Sequence, residues 1–226
     1  RLQREHEVYV GPSCHDVWLI LEPLGDDRSF GVPGLGHWKV SSTVIGMADP
    51  WLLQGTELVH DAGIFRLNQD HYHYLGESTH PYYVLEAPDW VNIVALTPAE
   101  EVVLVRQYRH GVRQSSLEIP GGMVDPVDSG PAAAAARELL EETGFQGADL
   151  QPLLVVTSNP AILSNRTHSF VTRGAIAVSD PHPDEHEDVE VVLQPLDRVP
   201  ELIASGEIHH SLSVAALATF LCRRHA

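Results

Sequence analysis

Residues 131–145 read Pro-Ala-Ala-Ala-Ala-Ala-Arg-Glu-Leu-Leu-Glu-Glu-Thr-Gly-Phe, and no other segment constrains the fold as tightly. Pro131 suits the first turn of a helix, where its missing amide hydrogen costs nothing. The alanines that follow have the highest intrinsic helix propensity. Gly144 stands where a left-handed residue would end the helix. The spacing predicts a helix over 131–143. On it Glu138, Glu141 and Glu142 fall at i, i+3 and i+4 and share one face. Ala136, Leu139 and Thr143 lie on the opposite side, suited to packing on a sheet.

Strand-length runs stand on both sides of this helix. Trp38 to Val40, Ser42 to Ile45, Trp51 to Leu53 and Tyr82 to Leu85 are short β-like runs between turn residues. Val91 to Leu96 and Val102 to Val105, joined by a turn at Pro98 to Glu100, predict a hairpin. The second of these is apolar on both faces, as a covered strand is. Further strands are expected at Leu153 to Val156, around 169–178 and at Val189 to Leu193. Two helices, near 196–204 and 211–221, follow. Residues 1–37 carry one strand-like run, Val17 to Leu21, and are then broken repeatedly by Gly and Pro, so they read as an arm or docking segment. This order of elements predicts an α+β fold or an α/β/α sandwich.

Three carboxylates on one helix face repel one another unless something positive sits among them. Such an oxygen-rich cluster suits Mg²⁺ or Mn²⁺. The Gly121-Gly122 pair ahead of the helix lets backbone approach a ligand closely. An isolated E-x-x-E-E is more often a solvated acidic face; its surroundings reverse that reading here.

Charge narrows the partners. The 226 residues carry 14 Lys and Arg against 31 Asp and Glu, a formal charge of −17. A phosphate-backbone binder needs a basic stripe, so no nucleic-acid partner is expected. With 43% hydrophobic residues there is enough apolar material for a sizeable core. Two cysteines, Cys14 and Cys222, make neither a disulfide scaffold nor a four-thiolate zinc site. His71, His73 and His80, and the adjacent His209 and His210, complete no structural zinc pattern. No apolar run approaches the length of a membrane-spanning helix, and no signal-peptide pattern opens the chain at Arg1. A cytoplasmic protein with no membrane partner is expected.

The stretch from Gly122 to Phe145 resembles the signature of the Nudix hydrolases. Gly122 matches its first glycine, and Arg137, Glu138, Leu139, Glu141, Glu142, Gly144 and Phe145 match its second half. Asp128 stands where the signature has an early Glu. Eight residues, Ser129 to Ala136, separate it from Arg137, one more than the family pattern. The runs Leu104 to Arg109, Leu117 to Gly122 and Gly206-Glu207-Ile208 are similar to the ADP-ribose pyrophosphatase branch.

The resemblance implies a Nudix-type α/β/α sandwich over 89–226 and an N-terminal antiparallel β-subdomain over 38–88. That subdomain commonly builds a homodimer, and its Trp38 and Trp51 offer apolar surface. It implies a hydrolase of a nucleoside diphosphate linked to another moiety, with ADP-ribose cleaved to AMP and ribose 5-phosphate as the leading case. Other nucleotide sugars, dinucleotides, or ligand sensing without catalysis are the alternatives. Gly121 would offer its carbonyl to a divalent metal, Mg²⁺ or Mn²⁺. Glu138 and Glu142 would be ligands, and Glu141 a ligand or an organiser of water. Arg109 would hold the diphosphate. Glu118 would line the site or stand as a plain surface carboxylate. Many relatives in this branch carry a basic Glu in a loop after the signature; here Asn165 falls near that position. Glu141, Glu185 and Glu187 are the substitutes.

Overall fold

The computed structural model describes residues 7–8, 19–23, 38–40, 50–182 and 188–224. The chain divides into two compact units, Arg1–Pro50 and Trp51–Ala226. In the first, strands β1 (Glu7–Val8), β2 (Leu19–Pro23) and β3 (Trp38–Val40) form an antiparallel sheet in sequence order. The expected strand at Ser42 to Ile45 lies outside the described residues.

The second unit begins with a four-stranded antiparallel sheet of β4 (Trp51–Asp61), β5 (Arg66–Tyr74), β6 (Glu77–Ser78) and β7 (Tyr82–Glu86), in which β5 pairs with the other three. Every residue of β4 is exposed.

A seven-stranded mixed sheet follows. Its elements are β8 (Trp90–Leu96), β9 (Glu101–Arg109), β10 (Gln114–Glu118), β11 (Gly121–Met123), β13 (Gln151–Thr157), β14 (Arg166–Arg173) and β16 (Val189–Pro195). Strands β12 (Phe145–Gln146) and β15 (Ile176–Ala177) pair separately. β8 is central. It runs parallel to β14 on one side, and on the other it meets β11 along its first half and β9 at its end.

Helix α1 (Pro131–Thr143) has the bounds its sequence predicts. Gly144 ends it at φ 70°, donating its amide to the Leu140 carbonyl. Alternation along β8 divides the core. Val91, Ile93 and Ala95 pack with Ala134, Ala135 and Leu139 beneath α1. Val94 and Leu96 face the other way, onto Leu202, Ala216 and Leu217 of α2 (Val199–Ala204) and α3 (Ser211–Arg224). Helices therefore cover both faces of the sheet, the α/β/α arrangement expected.

Candidate active site

The site is built where β11 meets α1. The Gly121 amide donates to Oε2 of Glu142 at 2.9 Å, although Glu142 is buried. A Cβ at Gly121 would collide with the Val91 carbonyl and Asn92. A Cβ at Gly122 would occupy the space of the Glu138 carboxylate. Both glycines are thus required by close approach: the first to neighbouring backbone, the second to an acidic side chain.

Arg137 gathers the surrounding carboxylates. Its Nη1 donates to Glu138 Oε1 and to Glu141 Oε2, each at 2.9 Å. Nε and Nη2 reach the two oxygens of Asp128 at 3.3 and 3.1 Å, and Nη2 also donates to the Met123 carbonyl. Hydrogen bonding to Asp128 above all, opposed by burial, raises the guanidinium pKa further, so Arg137 is always charged. Hydrogen bonds from Arg137 and from the Asp125 amide, outweighing burial, hold Asp128 below its ordinary value. The substitution of Asp for the early Glu, with one extra residue before the helix, therefore leaves the loop braced to α1 through the long guanidinium.

Glu138 and Glu141 already converge on one positive centre, the Arg137 nitrogen. With Glu142 and the Gly121 backbone beside them, the donor set is hard oxygen throughout, which fits a divalent cation of the Mg²⁺ or Mn²⁺ kind. Among the described residues, no three His, Cys, Asp or Glu side chains are already arranged around a common metal position. His71 lies against Gln69 and Glu57, and His80 against the Pro81 carbonyl.

Arg109 and Glu118 form a second polar centre. Arg109 donates Nε and Nη2 to the two Glu118 oxygens at 2.9 and 2.7 Å. His210 Nδ1 lies 2.8 Å from Glu118 Oε2. The Glu118 side chain is 1% exposed, so it is not a surface carboxylate, while Arg109 remains 41% exposed. Burial pushes the Glu118 carboxyl up, but the bonds from Arg109 and His210 outweigh it and bring the pKa down to about 2. Sequence reading missed His210: nothing local in His-His-Ser links it to a strand so far back in the chain.

The loop after the signature docks on β7, with the Leu85 amide on the Ile162 carbonyl at 2.7 Å. Asn165 is 2% exposed, and its Nδ2 donates to the Pro88 carbonyl at 3.0 Å. It anchors the loop rather than facing solvent. Next to it, Asp89 accepts from the Arg166 amide and lies 2.8 Å from His168 Nε2. Glu185 and Glu187 lie outside the described residues. Glu141 is the most exposed of the three helix carboxylates, at 46% of its side chain.

Residues 88–214 match the NUDIX domain family. The chain is 28% identical to an ADP-ribose pyrophosphatase of Mycobacterium tuberculosis over 164 residues, 72% of this chain and 79% of that protein. It is 27% identical to a methanol dehydrogenase activator of Bacillus methanolicus over 163 residues, 72% of this chain and 88% of the relative. A crystal structure described as an ADP compounds hydrolase shares the fold at a TM-score of 0.67, with 24% identity, over 75% of this chain and 91% of that one.

Proposed function

The chain belongs to the Nudix hydrolase family, and we propose that within it this protein hydrolyses ADP-ribose to AMP and ribose 5-phosphate. The observation that carries the reading is the acidic face of α1 folded against the Gly121-Gly122 loop, with Glu142 tied to the Gly121 amide. The similarity to an ADP-ribose pyrophosphatase, which spans most of both chains, supports the choice of substrate.

Glu138, Glu141, Glu142 and the Gly121 carbonyl would hold a divalent cation, Mg²⁺ or Mn²⁺. Such a cation supplies neutralisation of the diphosphate and a water of lowered pKa. Arg109 presents its guanidinium to the diphosphate, fixed in orientation by Glu118. Arg137 keeps Glu138 and Glu141 drawn together and the loop pressed on the helix. Glu141, the carboxylate most open to solvent, takes the proton of the attacking water. One phosphorus–oxygen bond of the diphosphate bridge breaks, and the water oxygen ends on the phosphate attacked. Asn165 has no part in this proton transfer, because an amide is not a useful base and its side chain is enclosed.

Two further readings belong with this one. We place a homodimer interface on the β4–β7 sheet, where Leu52, Leu53, Leu58 and Val59 of β4 are each exposed. Trp51 packs on Tyr74 at 4.6 Å and edge-on to Tyr72 and Tyr82 in the same sheet. We place the protein in the cytoplasm, and its charge of −17 speaks against a nucleic-acid partner. No helix among the described residues is long and apolar enough to cross a membrane.

A panel of ADP-ribose, nucleotide sugars, NADH and dinucleoside polyphosphates, with Mg²⁺ and Mn²⁺ in turn, tests the function. AMP released fastest from ADP-ribose is the expected result. Faster release from another compound moves the substrate assignment. No turnover of any compound sinks hydrolysis and favours ligand sensing.

A further inference from the structure

We propose that His210 is a second prong of the diphosphate grip: buried Glu118 holds Arg109 and His210 side by side, and both bind the same anion. The inference rests on the diphosphate reading of Arg109 given above and adds a residue to it.

Both oxygens of Glu118 are engaged inside the protein, one by Arg109 Nε and the other by Arg109 Nη2 and His210 Nδ1. A carboxylate so enclosed cannot touch substrate. It fixes instead where its two partners stand. Those partners are on the surface: the side chains are 41% exposed for Arg109 and 34% for His210. Two exposed nitrogen-bearing side chains, held by one buried carboxylate, stand together on a strongly acidic chain. A phosphate oxygen is the ligand such a pair recognises.

The chemistry of the ring fixes which nitrogen meets the anion. Glu118 is ionised at neutral pH and only accepts hydrogen bonds, so Nδ1 carries the proton that it shares with Glu118. Nε2 then decides what the ring shows an anion. In the protonated ring Nε2 donates. In the neutral ring Nε2 holds a lone pair, which repels a phosphate oxygen. Beside His210 stand Glu118 from β10, through it Arg109 from β9, and next in the chain His209. His209 lies 3.1 Å from Gln114. Ser213, 3.3 Å from Nδ1, is the neutral neighbour in α3.

Calorimetric titration of the full chain with ADP-ribose in EDTA, where metal-dependent turnover is off, tests this directly. His210→Asn keeps a donor close to the Nδ1 position and removes Nε2. The parent should bind roughly tenfold tighter than His210→Asn, the loss of one charge-assisted hydrogen bond. His210→Gln, with a neutral donor near the Nε2 position, should recover part of that affinity, and it serves if the Asn protein does not fold. Equal affinities of the parent and His210→Asn overturn the proposal. So does a loss of the same size in His210→Asn and His210→Gln, which is a structural effect, and so does a parent that binds no ADP-ribose. Adding Mg²⁺ afterwards separates the two readings. Binding that depends on His210 without AMP release overturns hydrolysis and leaves the grip. AMP release with no dependence of binding on His210 overturns the grip alone.

Discussion

Arg137 holds Asp128 from two nitrogens, Nε at 3.3 Å and Nη2 at 3.1 Å, and so pins the loop before α1 to the helix that carries the acidic face. The same guanidinium draws Glu138 and Glu141 together at 2.9 Å. Lysine has one ammonium and cannot reach acceptors on both sides. Arg137→Lys should lower turnover about 10- to 100-fold, the size expected when reacting groups lose their alignment. Steady-state kinetics beside a thermal melt check this. Turnover within twofold of the parent would remove Arg137 from the organisation of the site.

Glu142→Gln tests the metal assignment. Glutamine keeps an oxygen to accept from the Gly121 amide, so the loop contact at 2.9 Å can persist. What is lost is the charge. Mg²⁺ affinity by calorimetry and turnover should both fall at least about 100-fold while the melting transition stays cooperative. Full activity at matched metal occupancy would exclude Glu142 as a ligand.

The two glycines should fail differently. At Gly121 an added methyl meets the backbone of Val91 and Asn92, which cannot yield without moving β8. Gly121→Ala should cost stability, on the order of 1–3 kcal/mol by overpacking. At Gly122 the obstacle is the Glu138 side chain, which can swing aside. Gly122→Ala should keep most of the stability and lose metal affinity. Urea unfolding and metal titration of both proteins separate the cases. Equal destabilisation would show that Glu138 is as fixed as backbone.

Much of this was legible in the residues because the signals are local. Pro131 and Gly144 bracket α1, and the alternation of Val91 to Leu96 splits its two core faces. Strand β5 was not legible. Asn68, Gln69, Asp70, His71 and His73 give it no apolar face, and it is a strand because β4 and β7 supply backbone partners on both sides. The burial of Glu118 was hidden for a similar reason. A glutamate before Ile-Pro-Gly-Gly looks exposed until Arg109 and His210, brought from elsewhere in the chain, satisfy it. The enclosure of Asn165 likewise depends on Pro88, a residue remote in sequence.

Glu118 should make stability depend on acid in a defined window. Its carboxyl sits at about 2 in the folded protein against an ordinary 4.5, because Arg109 and His210 favour the ionised form over the opposing effect of burial. A carboxyl depressed on folding stabilises fully above its unfolded value and loses that contribution as pH falls towards the folded one. The window therefore runs from about 4.5 down to about 2. Its full size is on the order of 3 kcal/mol, since the side chain is almost wholly enclosed. Glu118→Gln removes the titration. The parent should be more stable than the variant at pH 7, and the gap should hold down to about pH 5. Between about pH 4.5 and pH 3 it should narrow by more than 1 kcal/mol, as the proton that ionised Glu118 resists in the fold binds readily in the unfolded chain. Urea unfolding of both proteins at closely spaced pH values reads this difference. A gap that stays constant from pH 7 to pH 3 would show that Glu118 titrates alike in both states and that its bonds to Arg109 and His210 contribute nothing through charge.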